Sequence, residues 1–149
     1  FDKLIIKAIA EKPVLGICLG MQALLESSEE NNGIECLNIL PGSAKFFGHG
    51  ISSDEGEKLK VPHMGWNHVH QEADHPMWQG IDQDAYFYFV HSYFVESNNA
   101  EMVAGTTSHS VKFAAALMAK NLFAVQFHPE KSHSAGLQLL RNFAAWKGE

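Results

Sequence analysis

The chain has 149 residues, 46% of them hydrophobic and 19% charged, enough for one domain with a buried core. Its net charge of −6 excludes a general nucleic-acid binder, which needs a basic stripe, and no apolar run reaches the length of a membrane span. The two cysteines, Cys18 and Cys36, form neither a CxxC pair nor a disulfide framework, so a reduced, cytoplasmic protein is expected.

The opening "FDKLIIKAIAEK" predicts a helix, because Phe1, Leu4, Ile5, Ala8 and Ile9 follow the spacing of one apolar stripe. It carries no basic leader or cleavage pattern and is not a signal peptide. A chain that starts inside an amphipathic helix, without methionine, is expected to be part of something longer. Pro13 stops the helix, and "VLGI" reads as a parallel strand buried on both faces. "LGMQALLESS" returns to helical spacing through Met21, Leu24, Leu25 and Ser28, and "ENNG" ends it. From Pro41 the pattern is one of short strands and loops. "WNHVHQ" and "AYFYFVHSYFV" are β-rich and aromatic, and "MVAGTT", "KFAAALMA" and "LFAVQF" follow. "SAGLQLLRNFAAWK" predicts a closing helix with Leu137, Leu140, Phe143 and Ala144 on its apolar face. No repeat or linker breaks the chain, so residues 1–149 read as one α/β domain.

Two stretches carry chemistry. In "GICLG", Cys18 stands between Gly16 and Gly20 at a strand-to-helix turn. This is the layout of a nucleophile elbow, with cysteine in place of serine. So tight a turn strains its central residue and brings backbone close, which glycine tolerates. The amino end of the following helix favours a thiolate. Alone, the pentapeptide is equally compatible with a buried structural cysteine.

In "FHPEKS", His128 follows an apolar strand and Glu130 comes two residues later. Imidazole can take a thiol proton and return it to a leaving amine, while a carboxylate holds the ring in one tautomer. Separately these are a satisfied strand-end histidine and a solvated charge. With Cys18 they form a Cys–His–Glu set in chain order. Gln22 lies one helical turn after Cys18 and can bring a carboxamide to a ligand at the sulfur. The N–H of Leu19, next after the cysteine, is the expected donor to an oxyanion.

Together, "GICLGMQ" and "QFHPEKS" resemble the class I, triad-type glutamine amidotransferases. Within that family, "KVPHMGWNHV" (Lys60 to Val69) and "YFYFVHSYF" (Tyr86 to Phe94) are similar to the glutaminase subunits of imidazole glycerol phosphate synthases. The likeness runs from Phe1 almost to the carboxyl end. It implies a flavodoxin-like three-layer sandwich with Cys18 after a central strand, here lacking the first strand–helix–strand segment. It implies Cys18 as nucleophile, His128 as general base and acid, and Glu130 as the orienting carboxylate. The reaction implied is hydrolysis of glutamine to glutamate and ammonia, with no cofactor. The ammonia would pass to a (β/α)8 cyclase subunit, the partner in a heterodimer of histidine biosynthesis.

By the same resemblance Glu30 would hold the α-ammonium group of glutamine, and Lys131 would pair with an acid on the cyclase. His91, Ser92 and Tyr93 supply donors and acceptors for the α-carboxylate end. Met64, Trp66 and Tyr88 are of the types enriched at interfaces, the alternative being that they are core. Family members also carry, upstream, a loop that supplies a second oxyanion donor. This chain alone is therefore expected to be a poor glutaminase that self-associates along an apolar sheet edge.

Other classes remain to be weighed. Nine histidines are many for this length, and His68 and His70 share a strand face with His63 near them. No HExxH and no cysteine–histidine ligand spacing accompanies them, so no metal is expected. Another class I amidotransferase, or an α/β binding module without the chemistry, would share the fold; nothing at positions 18, 128 or 130 suggests loss.

Overall fold

In the computed structural model, which describes residues 2–148, the chain opens with helix α1 (Asp2–Glu11). Ile5 and Ile9 of the expected stripe pack on the core, whereas Leu4 is 69% exposed and Phe1 lies outside the described residues. Strand β1 (Val14–Ile17) follows Pro13 and leads into α2 (Leu19–Ala23).

That helix does not run on to Ser28 as its periodicity predicts. The Leu24 and Leu25 N–H groups bond the Met21 and Gln22 carbonyls in tight terminal turns. Glu26 N–H then goes across to the Gly42 carbonyl, and Ser27–Ser28 becomes strand β2. Leu24 and Leu25 are buried all the same. The positions are core, but cross-chain bonds to the segment after Pro41 replace the helical ones.

Strands β3 (Ile34–Glu35) and β4 (Ser43–Phe46) flank β2. Then come β5 (His63–Gln71), β6 (Ala85–His91), β7 (Tyr93–Glu96), β8 (Val103–His109), β9 (Val111–Ala119) and β10 (Leu122–Val125). Helix α3 (His133–Ala145) closes the fold. The sheet order is β3-β2-β4-β7-β9-β8-β5-β6, with β10 joining β9 to β1. The fold is α/β as expected, though most of the pairs in its mixed sheet are antiparallel. The parallel pair that positions the site is β1 with β10, in register Gly16 to Ala124 and Ile17 to Val125. Within β1 only Gly16 is fully buried; Val14, Leu15 and Ile17 are half-buried, because among the described residues β10 is its one neighbour.

Alternation along the strands divides the core between the two sheet faces. Phe123 and Val125 join Phe87, Phe89, Phe127, Leu139 and Trp146 on one face. Leu122 and Ala124 join Met21, Leu24, Leu25 and Leu40 on the other, where α1 and α2 pack. On α3 the buried positions are Gly136 and Leu139, with Phe143 half-buried; the expected Leu137 and Ala144 are exposed. The helix is set by its close approach to the Pro129–Lys131 turn, which rotates Gly136 inward.

A Cβ at Gly136 would run into the Pro129 carbonyl oxygen, and Gly16 has Leu24, Ala124 and Gly20 within 3.4 Å of where its Cβ would stand. Gly20, by contrast, has open space. Close approach therefore favours glycine at position 16 and not at position 20, which corrects the symmetric reading of the two. Gly136→Ala should cost about 1–3 kcal/mol by overpacking. Gly20→Ala should leave stability unchanged or slightly raised, alanine being the better helix former. Urea unfolding of the two variants measures the contrast.

Candidate active site

Cys18 sits at the carboxyl end of β1 with φ 52° and ψ −107°, the strained backbone expected at such a turn. Its N–H bonds the Val125 carbonyl of β10 at 2.8 Å, and its own carbonyl accepts the N–H groups of Met21 and Gln22. The turn is thus tied to both the sheet and the helix. Three residues past the end of β10, His128 N–H bonds the Tyr88 carbonyl at 2.9 Å. The Ser132 hydroxyl donates to the His128 carbonyl and accepts from Tyr88 N–H. His128 Nδ1 lies 3.0 Å from Glu130 Oε2, so the ring's Nδ1 is the protonated nitrogen. Its Nε2 keeps no bond among the described residues.

Cys18, Leu19, Gln22, Glu30, Val90, His91, Ser92, Tyr93 and His128 line one cavity of about 360 Å³. Every substrate residue expected from the sequence is among them. Glu30 enters from a 3-10 turn (Glu30–Asn32) beyond β2, and its carboxylate makes no bond among the described residues. Gln22 differs from expectation. It is buried, and its Nε2 donates to the Tyr93 carbonyl at 3.0 Å and to Gln126 Oε1 at 2.9 Å. Its amide nitrogen is committed to the protein, which leaves only Oε1 for a ligand.

The thiol also departs from the simplest reading. Its hydrogen-bond acceptor is the Val90 carbonyl at 3.8 Å, and no hydrogen bond joins it to His128. Burial raises its pKa. The Leu19 N–H and the Gln126 side chain oppose that rise, Glu130 adds to it and Lys131 opposes it. Desolvation outweighs the amino end of a five-residue helix, so the resting sulfur is a thiol rather than the thiolate expected from its place at a helix start. The Leu19 N–H points to the sulfur, where an oxyanion donor is needed.

Behind the cavity lies a histidine pair the sequence did not reveal. His91 Nδ1 is 2.8 Å from the Tyr93 carbonyl, which can only accept, so His91 Nε2 must accept in turn. His63 Nδ1, 2.9 Å away, is therefore the donor to it, and His63 Nε2 accepts from Asn67 at 3.3 Å. Phe89 and His109 stack on His63. Burial, reinforced by the neighbouring imidazoles, holds His63 down to about 3 and His91 to about 4.

His68 and His70 lie on the opposite, exposed face of β5 from His63, and both turn to the Asp84 corner. The strand's period of two breaks up the trio, and no cluster of three metal-ligating side chains occurs among the described residues. No helix of the described residues is long and apolar enough to cross a membrane. Met64 and Trp66 are 63% and 45% exposed and Tyr88 is half-buried, so the alternative that they are core fails. Trp66 stacks on His133 at 5.0 Å, and Lys131 is exposed with no ion pair among the described residues.

The family model "Glutamine amidotransferase class-I" matches residues 2–146. The chain is 56% identical over 148 residues to the imidazole glycerol phosphate synthase subunit HisH of Pseudomonas syringae pv. syringae, covering 99% of this chain and 69% of that protein. It is 56% identical over 146 residues to the subunit of the same name from Acinetobacter baylyi, covering 97% of this chain and 68% of that one. The glutaminase domain of Trypanosoma brucei CTPS with bound acivicin shares the fold at a TM-score of 0.59 and 18% identity, over 97% of this chain and 64% of that one.

The histidine pair makes stability depend on acid. Below the ordinary histidine value of 6.5 the unfolded chain takes up protons that folded His63 and His91 refuse down to about 3 and 4. Unfolding then binds protons, so stability falls as pH falls, by up to about 1.4 kcal/mol per pH unit for each histidine. The urea midpoint should be level between about pH 8 and 7 and drop steeply between about 6 and 5. A level profile through that range would show that the pair charges freely in the folded state.

Proposed function

The chain belongs to the class-I glutamine amidotransferase family, and from that premise we propose that it is the glutaminase subunit of an imidazole glycerol phosphate synthase. In this reading it hydrolyses glutamine to glutamate and ammonia and delivers the ammonia to a cyclase partner in histidine biosynthesis. The observation that carries the reading is the one cavity in which Cys18 and His128, 110 positions apart in sequence, meet Glu30 and the His91–Tyr93 segment. The two HisH relatives support the choice of partner.

The chemistry follows from the groups present. Glutamine's α-ammonium group pairs with the free Glu30 carboxylate, and its carboxylate end meets Ser92 and Tyr93. The side-chain amide then reaches Cys18. The S–H leaves the Val90 carbonyl for His128 Nε2, which accepts the proton while Glu130 steadies the resulting imidazolium. Sulfur attacks the amide carbon, and the developing oxyanion takes the Leu19 N–H. His128 returns the proton to the departing nitrogen, ammonia leaves, and a thioester remains. Water, deprotonated by the same His128, hydrolyses the thioester to glutamate.

Ammonia lost to water is protonated and no longer a nucleophile, so the site must be sealed against the acceptor enzyme. Met64 pairs across β5–β6 with Val90, whose carbonyl meets the thiol, and Trp66 pairs with Tyr88. This exposed apolar patch therefore borders the cavity, and Lys131 stands beside the Glu130 carboxylate. We assign that face to the cyclase.

Two experiments test these assignments. Cys18→Ala should abolish glutamine turnover with little change in stability, and Glu130→Gln should keep the fold and lose most of kcat; a His128→Ala variant with near-normal turnover would end the triad assignment. In titrations with the cyclase, Trp66→Ala should weaken binding by about 2 kcal/mol, roughly thirtyfold in Kd, without unfolding the chain, and Lys131→Ala should weaken it less. Binding unchanged by both substitutions would move the interface elsewhere.

A further inference from the structure

Gln126 is a fully buried polar side chain in the otherwise apolar run "LFAVQF", and the mechanism above gives it no part. Its Nε2 lies 3.6 Å from Cys18 Sγ and its Oε1 lies 2.9 Å from Gln22 Nε2. The orientation of its amide follows from neighbours that cannot be reversed. The Tyr93 carbonyl only accepts, so the Gln22 atom 3.0 Å from it must be the NH2 group. The Gln126 atom facing that NH2 at 2.9 Å must then be the oxygen, because two NH2 groups are both donors and cannot hydrogen-bond each other. The remaining end of Gln126, facing the sulfur, is therefore its NH2 group.

We propose that Gln126 is a catalytic residue of the thiol step: a fixed donor, locked in orientation by Gln22 and the Tyr93 carbonyl, that stabilises the Cys18 sulfur as it becomes anionic. The proposal deepens the glutaminase reading and rests on Cys18 being its nucleophile. A thiol has a proton to give and uses the Val90 carbonyl. A thiolate has none and needs donors, and the two aimed at this sulfur are the Leu19 N–H and Gln126 Nε2. During attack the Leu19 N–H is also wanted by the oxyanion, whereas Gln126, buried beneath the sulfur, is not. The donor also costs no reorganisation, since its orientation is set before glutamine arrives.

The test reads sulfur ionisation without needing turnover. In a Cys36→Ser background, which removes the second thiol, the rate of Cys18 alkylation by iodoacetamide is followed against pH. Gln126→Met keeps the length of the side chain and removes the donor. Its alkylation midpoint should lie about one pH unit above that of the parent, a roughly tenfold loss of thiolate at neutral pH, as expected for one hydrogen bond to a charged group. If circular dichroism shows that this variant does not fold, Gln22→Met is read instead. That substitution leaves Gln126 in place but frees its amide to turn, and the midpoint should shift the same way by a smaller amount. An unchanged midpoint in the folded variant overturns the proposal and leaves the glutaminase reading standing. Failure of glutamine to slow Cys18 alkylation in the parent would strike the glutaminase reading while the midpoint could still be compared.

Discussion

The parallel pairing of β1 with β10 is the constraint on which the site depends. Its register sets Ile17 beside Val125, so the next residues of both strands leave the sheet at the same edge. The Cys18 N–H bond to the Val125 carbonyl extends the pairing by one step past the end of β1. A nucleophile and a base from opposite ends of the chain are thereby brought to one edge without a hydrogen bond between them. The same geometry explains why a side chain at Gly16 would be crowded, since Leu24 and Ala124 stand within 3.4 Å of it just before the turn. It also explains why Cys18 can be held at a positive φ: the sheet on one side and the two N–H groups of α2 on the other leave it no alternative.

A second constraint is polar. The Tyr93 carbonyl accepts from both Gln22 and His91, and each of those bonds determines the next one outward. One branch leads through Gln126 to the sulfur, the other through His63 to Asn67, which also bonds the Ser108 carbonyl. Buried polar groups are costly unless paired, and here the pairing is nearly complete, with Thr107 Oγ1 the one orphan among the described residues. The network fixes tautomers and amide orientations that hydrogen bonding alone, at an isolated residue, would leave open.

The sequence made the local chemistry legible and left the long-range pairing obscure. "GICLG" and "FHPEKS" announced an elbow and a strand-end histidine because each is a short motif with a local geometric cause. Residues 24–28 misled because their apolar spacing fits a helix, while the bonds from Glu26 to Gly42 that displace it come from a distant segment. The apolar face of α3 was misplaced by one position because its rotation is set by contact with the Pro129 turn. The roles of Gln126 and of the His63–His91 pair went unread for a related reason: they depend on partners far along the chain, 104 and 108 positions away for Gln126 and 28 between the two histidines. A signal for Gln126 did exist, a lone glutamine inside an apolar strand run, which must find a partner when buried.

The central claim is that Cys18, in this cavity, attacks the side-chain carbonyl of glutamine. Its most direct measurement is mass spectrometry of the chain after treatment with a diazo-ketone analogue of glutamine, which alkylates a nucleophile that has bound it. One adduct is expected, on the peptide carrying Cys18, and its formation should slow in the presence of glutamine. An adduct confined to Cys36, or labelling of Cys18 that glutamine does not slow, would contradict it.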